Sequence, residues 1–382
     1  MPSSRTAPSC SQPVHASRAS VLLDLLDSVP DPRRARGIRH GLPGLLAVGI
    51  AAVLAGARSF AAIGQWVADA DVDLLTALGS RRGRGPSESA IRRAFGRLDA
   101  ARLDAILAAW MWTRTEVVAQ RRIIAIDGKT VRGARTRDKT SNTISAAPHL
   151  VAAFDHDSGA VLGQLAVSAK SNEIPAVRTL LAEFDLAGVV VTVDAMHTQT
   201  DTAQLIVEAG GDYVFTIKGN QPTMYAACKR LPWREVPARR LTSTGHGRRV
   251  TRTIKVVTAP AWIGFHGAAQ VAQLRRTVTR QGKKTVEVVY LITSADVRTA
   301  PPATLAVWVQ GHWGIENRLH WVRDVTFDED RSQVRAGAAP QVMATLRNLV
   351  ISLLRLAGWT NIARGLRHHA ADNQRPLALL TS

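Results

Sequence analysis

The sequence predicts a mixed α/β protein with an all-α N-terminal domain, a sheet of three antiparallel and then parallel strands, and a basic β-rich insertion. Three observations predict it. Helical apolar spacing runs from about Val21 to Val118. From Arg121 the texture changes to short apolar runs, and two of these, Ile123–Ile126 and Val189–Val193, are each closed by an acid, Asp127 and Asp194. Residues 219–300 then alternate and carry fifteen Lys and Arg against three Asp and Glu, a net +12 out of +19 for the 382-residue chain.

Taken in order, residues 1–20 are rich in Ser, Pro and Ala and are expected to be disordered. The helical domain is expected over 21–118. Leu22, Leu25 and Leu26 share a helix face, and Asp31-Pro32-Arg33-Arg34 ends that segment. Leu42 to Ala57 is apolar but short and contains Pro43, Gly44 and Gly49, so it predicts a buried helix rather than a membrane span. The basic turn 81–89 leads through the capping residue Ser87 into a helix bearing Arg92, Arg93 and Arg97. That arrangement suits a helix-turn-helix reader of DNA, and equally a solvated basic face.

The first part of the α/β core is expected over 119–218. His149–Phe154 and Ala160–Val167 read as a hairpin, Glu173–Phe184 and Thr200–Ala209 as helices, and Val189–Val193 and Tyr213–Lys218 as strands. Three antiparallel strands followed by helix–strand–helix–strand match the ribonuclease H-like order; an ordinary doubly wound sheet is the rival. In the insertion, 219–300, Arg248–Val257 alternates, and Gln270–Arg280 and Lys283–Ile292 flank Gln281-Gly282 as a hairpin. Residues 301–382 complete the core, with helices over Ala303–Val322 and Gln341–Leu356.

The charge and a pI near 11.2 favour a polyanionic partner, nucleic acid above all. Two cysteines, Cys10 and Cys228, offer no disulfide framework or metal knuckle, and the polar N-terminus has no signal-peptide pattern. A soluble protein in a reducing compartment is expected.

Asp127, Asp194 and Glu316, the last in the helical stretch His312–Asn317, carry the chemistry. An acid at the edge of a buried sheet is held rigidly, and three such groups suit hard divalent cations. Two cations roughly 3.5–4 Å apart serve phosphodiester chemistry. The bland alternative is that each acid only forms a turn or caps a helix. Helical spacing also places His312, Glu316, His320 and Arg323 on one face, which suits phosphate contact or, alternatively, zinc. Trp313, Trp321, Leu319 and Ile315 are expected to pack into the core, base stacking being the other reading. Asp328–Asp330 reads as a solvated charge run. Lys129, Lys218 and Asn220 adjoin the strand ends, as phosphate contacts or plain surface groups, and Glu173 reads as a helix-start acid that could approach the site.

Ala125–Gly133, Lys170–Ile174, Thr192–Gln199, Asp212–Gln221 and His312–Phe327 together resemble a DDE insertion-sequence transposase with a β-strand insertion, of the As-one type. The resemblance covers about residues 21–357. It implies Asp127, Asp194 and Glu316 as the catalytic, metal-holding acids, with two Mg²⁺, for which Mn²⁺ can substitute. It implies cleavage of element ends and joining of the 3′-hydroxyl to target DNA. Lys129, Lys218, Asn220, His312, His320, Arg323, Arg248, Arg249, Arg252, Arg92 and Arg93 become the expected DNA contacts. Double-stranded DNA, as terminal inverted repeats and target, becomes the partner. A homodimer on DNA in the bacterial cytoplasm, at the nucleoid, and no membrane association, follow as expectations. A DNA-binding repressor of transposase descent and a host nuclease of the same fold remain the alternatives. Where related transposases carry Tyr, Arg and Lys around the Glu, this chain has Val309, His312 and Arg323.

Overall fold

Val189–Val193 is buried at every residue, because its β-branched side chains meet apolar layers on both sheet faces. It is β4 of a nine-stranded sheet in the computed structural model, which describes residues 16–36, 38–115, 117, 121–136, 146–168, 172–245 and 247–382. The strands are β1 (Arg122–Thr130), β2 (His149–Asp155), β3 (Val161–Ala166), β4, β5 (Asp212–Ile217), β6 (Arg239–Gly245), β7 (Arg248–Thr258), β8 (Gln270–Arg280) and β9 (Lys283–Thr293). Their order is β3-β2-β1-β4-β5-β9-β8-β7-β6.

β1, β2 and β3 pair antiparallel, whereas β1–β4 and β4–β5 pair parallel. This is the ribonuclease H-like order, and the antiparallel start excludes the doubly wound rival. The insertion is not a separate sheet. β9 pairs antiparallel with β5 and carries β8, β7 and β6 outward from it. The Gln281-Gly282 turn has both residues at positive φ, which joins two long strands tightly. β6 had no clear sequence signal; all seven of its residues are exposed, so no apolar alternation marks it.

Two compact units divide the chain: Met1–Asp99 with Ala363–Ser382, and Ala100–Ile362. In the first, α2 (Leu42–Leu54) is buried along almost its whole length. It is packed by α1 (Ala16–Asp27), α3 (Phe60–Asp69), α5 (Glu88–Arg97) and α13 (Gln374–Leu380). Encirclement by helices explains its apolar sequence, and no described helix is long and apolar enough to cross a membrane. Ser87 caps α5, accepting from the Ala90 N–H, as its position predicts. Residues 1–15 of the expected tail lie outside the described residues, and residues 16–20 are helical.

In the second unit, α6 (Ala100–Arg114) packs on β3 and on α11 (Ala339–Leu356). The compact units divide at Asp99, which leaves α6 in the second. α7 (Glu173–Leu181) and α8 (Thr200–Glu208) follow β3 and β4, and α9 (Pro222–Lys229) follows β5. α10 (Pro302–Gly314) lies across the sheet, its Leu305 and Trp308 buried with Val190, Val214, Ile254, Ala272 and Leu291. α10 runs directly into two π-helical segments, Ile315–His320 and Val322–Thr326.

Candidate active site

Asp127 lies within β1 rather than at its end, because β1 continues along β2 after its pairing with β4 stops at Ile126. The carboxylate thus emerges where the parallel part of the sheet opens. Asp194, just past β4, caps the turn Ala195–His197 by accepting from the Ala195 N–H at 2.7 Å. Its other contact is Lys218, at 3.2 Å.

Glu316 is exposed in the first π segment. Here the Trp321 N–H bonds the Glu316 carbonyl and the Phe327 N–H bonds that of Val322, both five-residue steps. Such wide turns concentrate at functional positions. A four-residue step stays on one face of a π turn, so Glu316 and His320 remain together. A seven-residue step does not, and this explains why Arg323 leaves the face that α-helical spacing assigned to it.

Asp127, Glu316 and His320 bring one ligand atom each within 4.8 Å of the others. His320 Nδ1 is 3.4 Å from Asp127 Oδ2, and its Nε2 is buried without a hydrogen-bond partner. Burial would raise the Asp127 carboxyl, but the hydrogen bond and charge of His320 outweigh it and hold the group below the ordinary carboxylate range. Two carboxylates with one imidazole fit a divalent cation of the Mg²⁺ or Mn²⁺ type, and the orphaned Nε2 marks the site as built for another ligand. Asp194 is outside this cluster, its oxygen turned to Lys218.

His312 does not join the cluster. Its Nδ1 lies 3.0 Å from Thr192 Oγ1, which is also 3.2 Å from His156 Nε2. Burial depresses His312 even though the nearby Asp127 and Asp194 charges oppose it. Burial, followed by the charges of His312 and Arg318, drives His156 down to about 3, so it stays neutral. Gly311 allows this close approach: a Cβ there would collide with the His156 ring.

Below the Asp127 strand, Glu173 holds His197 at 2.9 Å and His149 at 2.5 Å. Burial works to raise Glu173, but the His197 hydrogen bond and the two histidine charges lower it overall. The clamp ties the turn after Asp194 to the start of β2. Glu173 therefore supports the acid-bearing elements; of its sequence motif, Lys170 and Ser171 lie outside the described residues. No sequence pattern marks His149, His156 and His197 for these contacts, since a lone histidine has no recognisable spacing.

Several expected DNA contacts are otherwise engaged. Lys129 is buried and pairs with Asp324, with Asp330 at 3.8 Å. Arg323 is fully buried, 2.8 Å from Glu329, which also pairs with Arg347 of α11 at 2.8 Å. Arg323 thus anchors the π segment to the core instead of meeting phosphate, and Glu329 belongs to a buried triad instead of a solvated run. The four apolar residues beside Glu316 divide, against expectation: Ile315 and Leu319 are buried, but Trp313 and Trp321 are 58% and 55% exposed.

A model of the transposase DDE domain matches residues 119–353. The chain belongs to the DDE transposase family. A second model, described as DDE_Tnp_1-associated, matches residues 23–111 of this transposase. It is 31% identical over 348 residues to "Putative transposase YncI" of Escherichia coli O157:H7, covering 87% of each chain. It is 29% identical to "H repeat-associated putative transposase YhhI" of Escherichia coli K12, covering 87% of this chain and 90% of that one. To "Putative protein YbfL" of the same strain it is 30% identical, with the same coverage.

The remaining basic groups of the transposase lie in three places. Lys218 and Asn220 brace the Asp194 turn, Asn220 donating to the Ala195 carbonyl at 2.9 Å. Arg248 and Arg249 are exposed and Arg252 half-buried in β7. Arg92, paired with Glu88, and Arg93 are exposed on α5.

Proposed function

We propose that this transposase cleaves the ends of its own element and joins the freed 3′-hydroxyl to target DNA. The observation that carries the reading is the convergence of Asp127, Glu316 and His320 at the edge of the sheet, with Asp194 one strand away. Bound Mg²⁺ or Mn²⁺ ions would supply the Lewis acidity that activates the attacking oxygen and stabilises the leaving one. Asp127 and Glu316 would hold the first cation. Asp194 would contribute once Lys218 turns from it to a phosphate, an exchange that DNA binding favours because both lie at the exposed surface.

His312, neutral and anchored on Thr192, keeps α10 at a fixed height over the two aspartates. Trp313 and Trp321 offer exposed ring faces beside Glu316, suited to stacking on bases unpaired at a cut end. The partner is double-stranded DNA, as terminal inverted repeats and target. Bringing two ends together calls for at least a homodimer on DNA, working in the bacterial cytoplasm at the nucleoid.

The test uses a supercoiled plasmid carrying the gene with its native flanks, with Mg²⁺. The wild type is expected to nick at the flank junctions and to join ends to a target plasmid. Asp127→Asn, Asp194→Asn and Glu316→Gln are each expected to abolish both. Nicking of equal extent by the wild type and the three variants would overturn the proposal. Nicking without joining would favour a nuclease, and binding without nicking a repressor.

A further inference from the structure

Side chains alternate between the two faces of a strand, and the sheet runs without a register shift from β1 through β4, β5 and β9 to β7. Parity therefore relates residues far apart. Ile123, Val190, Val214, Leu291, Ala272 and Ile254 all face α10, since they share its apolar cluster. Asp127 is four residues beyond Ile123, so it faces the same way. Arg252 and Arg248 lie two and six residues from Ile254, and Arg276 and Arg280 four and eight from Ala272. All four arginines are on the Asp127 side.

On that side the register sets like charges directly opposite one another. Arg252 pairs with Arg276, Arg248 with Arg280, and Arg280 in turn with Lys283. Directly opposed like charges destabilise a sheet. Glu287 is the one carboxylate between residues 239 and 293, and among the described residues it pairs with Arg276, at 3.7 Å. Burial, then the charges of Arg276 and Arg248, disfavour the charged form of Arg252. A ladder that repels itself in the free protein is relieved by a polyanion laid along it.

The opposite face differs. Near its base Tyr290 is covered by Trp233 and Tyr225, and the Lys255 ammonium bonds the Trp233 carbonyl. Farther out this face carries Thr251, Thr253, Thr277 and Thr279 among Arg240, Arg249, Arg275 and Lys284, and the register sets none of these four cations directly opposite another.

We propose that the duplex leading away from the cut strand lies across the Asp127-side face of the β-ribbon, its phosphates held by Arg248, Arg252, Arg276, Arg280 and Lys283. The four-residue step from Arg248 to Arg252 covers about 13 Å of strand. That is about four base pairs at ~3.4 Å of rise. In sequence Arg248, Arg249 and Arg252 are equivalent; parity puts Arg249 on the far side. The inference rests on the transposase reading for its DNA partner but not on cleavage.

The test measures binding of a fluorescein-labelled 40-base-pair duplex from the flank of the gene, by anisotropy in EDTA at several salt concentrations. Arg252→Glu/Arg276→Glu is expected to weaken binding more than tenfold. Arg252→Gln/Arg276→Gln, which removes the repulsion together with two phosphate contacts, should fold at least as well and flatten the log–log salt slope by about 2. Arg275→Glu/Lys284→Glu, on the far face, should change affinity less than threefold. Equal losses from the two faces would overturn the proposal while leaving Mg²⁺-dependent nicking, and with it the transposase reading, intact. Asymmetric losses in a protein that never nicks would uphold the DNA path and sink the catalytic reading instead.

Discussion

His320 Nδ1 stands 3.4 Å from the Asp127 carboxylate, with its Nε2 buried and unpartnered, so the imidazole that follows Glu316 by one turn faces the strand that bears Asp127. A nitrogen donor here favours transition metals over Mg²⁺. His320→Asn should weaken Mn²⁺ binding roughly tenfold, the scale of a lost group that orients a metal site, and Mg²⁺ binding less. Calorimetric titration of each ion in the absence of DNA checks this; equal losses for both ions would count against a nitrogen ligand.

Gly128 follows Asp127 where no side chain fits. A Cβ would come within 2.6 Å of both Glu173 and His149. Gly128→Ala should therefore force the clamp apart and cost about 1–3 kcal/mol. Urea denaturation measures the stability, and nicking of the plasmid should fall with it because the Asp194 turn loses its support.

The buried triad Arg323–Glu329–Arg347 makes Glu329→Gln severe: two guanidinium groups would remain without their counter-charge, at about 3–5 kcal/mol. Burial would raise Glu329, but Arg323 and Arg347 hold its carboxyl at about 2, against an ordinary 4.5. A depressed acid stabilises the fold above its unfolded pKa. The contribution is thus complete above pH 4.5 and is lost as pH falls from 4.5 towards 2. Acid unfolding followed by circular dichroism should show this loss in the wild type and not in the variant.

Asp104 has the opposite sign. Burial between α6, β3 and α11 raises its carboxyl to about 7, although Thr345, Gln341 and Gln164 all donate to it. The folded chain binds a proton there that the unfolded chain gives up near 3.8, so this site costs stability as pH rises from about 4 to 7. Asp104→Asn should gain on the wild type across that range. Melting temperatures at pH 5 and pH 8 decide it.

Trp321→Ala should leave stability within about 0.5 kcal/mol, as for an ordinary surface change. It should lose roughly 1–3 kcal/mol of affinity for a DNA end with unpaired bases. Competition between frayed and blunt duplexes separates stacking from general attraction; an equal loss on both would refute the stacking role.

The sequence alone determined the element order, the helical N-terminal domain, the basic hairpins and the positions of Asp127, Asp194 and Glu316. Those signals are local: apolar runs that alternate or repeat with helical period, turn residues between them, acids at their ends. What became of Arg323, Lys129 and the two tryptophans was decided only by tertiary structure. Helical spacing assumes an α turn, and the π segments after Gly314 rotate Arg323 into the core towards Glu329. Lys129 meets Asp324 across 195 residues of chain, a pairing no local pattern encodes. Whether an arginine of the insertion lies on the Asp127 side of the sheet depends on its parity against a strand more than a hundred residues away, and parity exists only once the strands have joined one sheet.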